Sequence, residues 1–297
     1  MKVPSRRAYI GLVVLLAASR LAAAGGPAPT ETDGGNEQIK FIRIACDESK
    51  RPLSLDTAIV RLASKEGDRG AMTVDLIAAV HIADAKYYRH LSKKFDDYEV
   101  VLYEMVAAEG ASKPRQGSKP GKHPVSLMQT GMKDLLDLEY QLDGIDYTRE
   151  NMVHADMSPE QFAESMKQRG ETATSMIARM MGYAMAKRPT SGTDEAKLLA
   201  ALFDRNRAMA LKRVFANQFA DGDDATAALE GPDGSTLISG RNQVALDVLK
   251  KEIEAGKKKI AIFYGAGHMP DFLKRLQDDF GLTPVDTTWL IAWDLNP

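Results

Sequence analysis

Two histidines and one glutamate, each placed just after an apolar run, are the residues of this chain whose types and spacing suit chemistry. His81 follows Thr73–Val80, Glu104 follows Val100–Tyr103, and His268 follows Ile260–Tyr264 across Gly265-Ala266-Gly267. Two neutral imidazoles and one carboxylate can bind Zn, Mn, Co or Fe and leave positions open for water. A metal so held lowers the pKa of water and polarises a substrate carbonyl. Spacing leaves Glu104 open as the third ligand or as the base that takes the water's proton. The plainer alternative for either histidine alone is a hydrogen bond to a neighbouring loop. Two histidines at equivalent strand–helix junctions favour a site.

The elements that must position them are short. Ile260–Tyr264 runs without a polar break and ends in glycine, the pattern of a strand buried on both faces. Gly265 and Gly267 allow a sharp turn and close backbone approach. Met269-Pro270-Asp271 then opens a helix with Phe272, Leu273, Leu276 and Phe280 on its apolar face. After His81, Asp84 reads as the cap of a helix whose face is Tyr88, Leu91 and Phe95. If the three strands are parallel neighbours, His81, Glu104 and His268 converge on the carboxyl edge of one sheet, where open α/β sheets bind ligands. The side chain of His268 then faces the cleft and does not fill the core.

Ile39–Cys46 and Thr57–Ala63 read as strands that form an antiparallel meander with Met72–Val80. Thr287–Trp293 reads as the last strand, with Trp289 and Trp293 on one face. From Val125 to about Ala255 the spacing is helical and no strand is expected. Ser158-Pro159-Glu160-Gln161 is a capped helix start. Met176, Ile177, Met180, Met181 and Met185 form a stripe that reads as core. Ala196–Phe219 and Gly240–Ala255 are further helices, the last ended by Gly256. His90 and His123 read as solvated. His154 and Asp156 could reach a metal from the insertion, but the first reading is a loop residue for His154 and support for the helix start for Asp156. The expected fold class is α/β: a central mixed β-sheet built from two strand–helix halves, with a large all-helical insertion at about 125–255 between them.

Residues 1–24 read as a signal peptide, with Lys2, Arg6 and Arg7 before an apolar run and Ala22-Ala23-Ala24 as a cleavage site. Ser5-Arg6-Arg7-Ala8-Tyr9 also resembles a twin-arginine export signal. Residues 25–38 read as a flexible linker and 39–297 as one domain. The expected place is extracytoplasmic, with membrane contact only through the N-terminal segment if it is uncleaved. The 297 residues carry a formal net charge of -2, which leaves no footprint for nucleic acid. The one cysteine, Cys46, excludes an intrachain disulfide.

Ala78-Ala79-Val80-His81, Tyr103-Glu104 and Gly265-Ala266-Gly267-His268 resemble the TraB/GumN/Tiki family, which carries two Gly-x-x-His motifs around a helical insertion. Ala78 stands where the first motif has glycine. Arg241-Asn242 resembles the family's Arg-Asn pair that opens the helix before the second motif; Arg205-Asn206 is a second such pair, farther from Gly265. The resemblance spans roughly Ile39 to Trp293. It implies a metal-dependent peptidase, with His81, His268 and Glu104 serving a divalent ion (Mn, Co or Zn) and Arg241 stabilising an oxyanion or anchoring a substrate carboxylate. The partner implied is a peptide or small-molecule substrate. The wider superfamily is similar to erythromycin-esterase-like hydrolases and to a haem-binding lipoprotein. A non-catalytic binder of haem or a small molecule, or a signalling inhibitor, is therefore the alternative.

Overall fold

The computed structural model describes residues 39–64, 72–108, 110–114, 136–172, 174–175, 179, 197, 200–220, 230 and 234–296. The signal segment, the linker, His123 and the methionine stripe lie outside the described residues.

β1 (Ile42–Cys46), β2 (Pro52–Ser64) and β3 (Thr73–Ala79) make the antiparallel meander, Ile42 opposite Thr57 and Ile59 opposite Ile77. After β4 (Ile82–Ala83) and α1 (Ala85–Lys94), β5 (Val100–Tyr103) enters the same sheet. β6 (Glu139–Tyr140) pairs with β4 outside it. β7 (Met152–His154) runs parallel to β5. Then come α2 (Pro159–Gln168), α3 (Arg207–Ala220), α4 (Arg241–Glu254), β8 (Lys259–Gly265), α5 (Met269–Asp278) and β9 (Leu282–Asp294). The sheet order is β1-β2-β3-β8-β5-β7, with β9 antiparallel along β2. The sheet is thus mixed: antiparallel on one side, four parallel strands on the other.

β8 shows why the parallel half has no polar alternation. Ile260 to Tyr264 are all fully buried. Ala261 and Phe263 face a layer with Tyr87, Tyr88 and Leu91 of α1 and Leu211 of α3. Ile260, Ile262 and Tyr264 face Leu246 and Leu249 of α4 and Phe272 and Leu276 of α5. Burying each large side chain contributes about 1.5–3 kcal/mol, and with helices on both faces no polar position remains.

Several expectations need correction. The described part of 125–255 is not all helix, because it contains β6 and β7. Met152-Val153-His154 is too short to show a period; its partner Val101–Tyr103 makes it a strand. The stretch read as one helix at Ala196–Phe219 is interrupted at 203–206, before α3. Asp84 stands at the start of α1 but makes no side-chain cap. Its carboxylate instead accepts Lys212 Nζ at 2.6 Å and the Asp294 amide at 2.6 Å, tying α3 and β9 to α1. Trp289 and Trp293 do not share a face: Trp293 lies in the α1-side core and donates its indole N–H to the Ile82 carbonyl, while Trp289 packs toward the other layer under Arg43. The cause is a β-bulge, since Trp293 pairs with Leu55 and Ile291 with Asp56, leaving Ala292 unpaired. One extra residue reverses the side-chain alternation beyond it.

Other local readings hold. Ser158 Oγ accepts the Gln161 amide and Gln161 Oε1 accepts the Ser158 amide, a reciprocal cap with Pro159 in the first turn. Gly256 takes φ of 88°, closing α4. Among the described residues no helix is long and apolar enough to cross a membrane.

Candidate functional site

Parallel register decides what meets at the sheet edge. Ala79 pairs with Gly265, and Tyr103 pairs with both Phe263 and His154. Four strands therefore end level, and the residues just past them, His81, Glu104, Asp156 and His268, come from four separate parts of the chain. Gly265 lies where they close in. A Cβ on it would stand 3.2 Å from Glu104 Oε2, 3.7 Å from His81 Nε2 and 3.8 Å from His268 Cδ2. Its φ of -52° suits any residue; the close approach of these side chains is what glycine serves.

His268 is 6% exposed, so it is buried and not solvated as expected. The short helical turn Ala266–His268 runs directly into α5, placing His268 one turn before Phe272 on the buried face of that helix. Its ring meets Tyr264 edge-on, centroids 5.2 Å apart. Asn242, on the first turn of α4, fixes its tautomer. The amide nitrogen of Asn242 donates to the His268 carbonyl at 3.0 Å and to Asp271 Oδ2 at 2.8 Å. Both are pure acceptors, so Asn242 Oδ1 faces the ring and must accept Nδ1–H, at 2.6 Å. Burial pushes the imidazole pKa down to about 3, with Arg241 and His81 adding to the effect against the pull of Glu104. The ring is neutral at physiological pH, and its unprotonated Nε2 lies 3.7 Å from Glu104 Oε1. That contact is therefore a lone pair facing a carboxylate, not an ion pair.

Glu104 is held by two donors. Its Oε1 accepts Arg241 Nη2 at 2.8 Å and its Oε2 accepts the Gly265 amide at 2.7 Å. Burial is the largest single effect and would raise its carboxyl pKa; the Arg241 guanidinium, the two histidines and the Gly265 amide together outweigh it and hold the group far below the usual carboxylate range. Arg241 also binds Asp156 bidentately, Nε to Oδ1 at 2.9 Å and Nη2 to Oδ2 at 2.5 Å. Asp156 was read as a helix-start residue. It is instead buried at 5% exposure and bonded to the one guanidinium that also holds Glu104. Two carboxylates around one guanidinium and neutral His268 leave an excess of about one negative charge beside these lone pairs.

His81, half-buried, places Nδ1 3.1 Å from Gln141 Oε1, and Gln141 Nε2 donates to the Tyr147 hydroxyl at 2.9 Å. Gln141 and Tyr147 carried no signal in the sequence, because Gln141 gains its place only when β6 pairs with β4 and its backbone amide reaches the His81 carbonyl. Asp156, whose second reading brought it to the site from the insertion, does arrive there, but bound to Arg241.

Arg241 and Asn242 are neighbours, about 100° apart on a helix, yet both reach the site. A π-turn, Thr236–Gly240, with the Gly240 amide on the Ser235 carbonyl at 2.8 Å, sets the start of α4. The other candidates stay away. Arg205 is exposed in the turn before α3, and His90 is exposed on α1. His154 ends β7, but its Nε2 donates to the Met105 carbonyl at 2.5 Å on the Tyr103 side of the sheet.

Among the described residues no three His, Cys, Asp or Glu side chains stand close enough to hold a metal ion as placed. The donor types nevertheless fit one. Two ligand bonds of about 2.0–2.2 Å meeting at an ion span a separation like that between His268 Nε2 and Glu104 Oε1, and the Nδ1 bond of His268 leaves its Nε2 lone pair free for one. Comparison with family models, with curated proteins and with solved structures finds no match for this chain.

Proposed function

We propose that this chain is an extracytoplasmic metal-dependent hydrolase acting on peptides, with a divalent ion held by His268, Glu104 and His81. The observation that carries the reading is the buried, neutral His268, whose Nε2 lone pair is aimed at an anionic Glu104 with no proton between them. That contact is repulsive, and Arg241 on the same oxygen only softens the repulsion; a divalent ion between the two would turn them into a pair of ligands. Asn242 orients His268 as outer partners orient ligand histidines in metal sites. The motif resemblance supplies the substrate class.

A divalent ion there supplies Lewis acidity and a water of lowered pKa. The chain's own residues set the rest. Glu104 is kept anionic by Arg241 and the Gly265 amide, which suits a ligand and makes it a weak base for taking a proton at neutral pH. Arg241 serves two carboxylates, so we assign it to holding Glu104 and not to an oxyanion. A peptide library incubated with the purified protein tests the function. Cleavage that a chelator stops, that Mn, Co or Zn restores and that His81→Ala lacks is the expected result. A haem Soret band without cleavage is the opposite outcome and indicates a binder.

A further inference from the structure

The two site histidines are oriented by different means, and only one of them has its tautomer dictated by its immediate partner. His268 is bound to be the Nδ1–H form, because the amide of Asn242 is locked by two pure acceptors. His81 has a glutamine amide instead, and that amide is anchored by a hydroxyl, which can donate or accept. If Gln141 presents its oxygen, His81 carries the proton on Nδ1 and offers an Nε2 lone pair at Gly265, beside Glu104. If it presents its NH2 group, the proton moves to Nε2 and the lone pair is lost from the site.

We propose that Gln141 is the positioning residue of His81: with its oxygen on Nδ1 and its NH2 group on Tyr147, it holds the imidazole as the Nδ1–H tautomer so that Nε2 faces Glu104 unprotonated. Three facts support this beyond the single contact. The backbone amide of Gln141 donates to the His81 carbonyl at 3.0 Å, so main chain and side chain of one residue grip the histidine at both ends. Gln141 is 6% exposed and Tyr147 fully buried, so water does not compete for either bond. Tyr147 packs on Tyr103 with centroids 4.9 Å apart and planes tilted by 59°, which holds the ring against β5. The arrangement parallels the Asn242–His268 pair from the other side of the sheet edge, so two amides from unrelated segments turn both imidazoles the same way. A free neutral histidine prefers Nε2–H, so the Nδ1–H form needs a partner that enforces it.

This inference rests on the proposed use of His81 as a donor to a metal, and nuclear magnetic resonance separates the two. Nitrogen-15 spectra of the imidazoles, recorded on the metal-free full chain at mildly alkaline pH, report each tautomer. His268 and His154 serve as internal references for Nδ1–H and Nε2–H, since an Asn242 oxygen and the Met105 carbonyl dictate those forms. His81 is expected as Nδ1–H in the wild type and in Gln141→Glu, which keeps an acceptor. It is expected as mainly Nε2–H in Gln141→Leu and as a mixture in Tyr147→Phe. Cobalt affinity should fall about 10–100-fold in Gln141→Leu and recover in Gln141→Glu. Wild-type His81 found as Nε2–H, or an unchanged Nδ1–H form in Gln141→Leu, overturns the proposal. If Gln141→Leu fails to fold, the wild-type spectrum with Tyr147→Phe still decides. Nδ1–H in a wild type that binds no cobalt sustains the positioning role and ends the metal reading alone.

Discussion

Replacing Arg241 with methionine is expected to lower stability by about 3–5 kcal/mol, the cost of leaving a buried ion pair without one partner. Arg241 is 4% exposed and makes bonds to two carboxylates, one of them bidentate. Taking it away leaves Glu104 and Asp156 buried with no cation between them. The melting temperature should drop by roughly 10 °C, using about 2–4 °C per kcal/mol for a domain of this size. The deficit should shrink in the double variant Arg241→Met/Asp156→Asn, because one stranded charge is then gone. Thermal or urea unfolding of the single and double variants measures this. An Arg241→Met protein as stable as the wild type would show that the guanidinium does not hold the two carboxylates in the folded state.

Acidification is expected to cost nearly as much. The folded-state pKa of His268 is about 3, below the ordinary value of 6.5. Between those values the unfolded chain holds a proton that the folded chain lacks, so stability is fully present above about pH 6.5 and is lost as pH falls toward 3. The slope is about 1.4 kcal/mol per pH unit for one proton, or roughly 4–5 kcal/mol over the window. Glu104 adds a loss with the same sign, beginning below about pH 4.3, since its folded pKa is depressed and the unfolded chain takes up the proton first. Urea unfolding across this range, on the metal-free wild type and on metal-free His268→Asn, separates the two. The variant should be flat between about pH 6.5 and 4.5, where the wild type slopes. A wild type equally stable across that interval would mean that His268 is not buried as a neutral ring.

The parts of the site visible in the sequence were those that depend on neighbours along the chain. Ile260–Tyr264 and Val100–Tyr103 are unbroken apolar runs because helices cover both faces of their sheet, and that same burial marks where each strand stops. The three end residues followed directly. Which residues distant in sequence pair with one another was not visible. Arg241 meets Glu104 across 137 positions and Asp156 across 85, and Asp156 beside Ser158-Pro159 resembles an ordinary helix-start acid. β7 is a three-residue strand whose pairing with β5, not its own pattern, makes it one. Gln141 sits past a two-residue strand with no period at all. The bulge at Ala292 reverses the faces of Trp289 and Trp293 through one unpaired residue, which alternation cannot anticipate. His268 was placed at the right edge but on the wrong side of burial, because the helical turn after Gly265 carries it back onto the buried face of α5.

His81, Glu104 and His268 are proposed to share one divalent ion. Elemental analysis of the purified full chain, beside His81→Ala, tests it most directly. His81 is only partly buried and makes no bond to Arg241, so its loss should leave the fold intact and report on the ion alone. One first-row metal ion per wild-type chain after dialysis is expected, with a much reduced content in the variant and coinciding melting curves when both are metal-free. A wild type that emerges without metal and takes up none from excess Mn, Co or Zn, or a His81→Ala protein that retains a full complement, would contradict it.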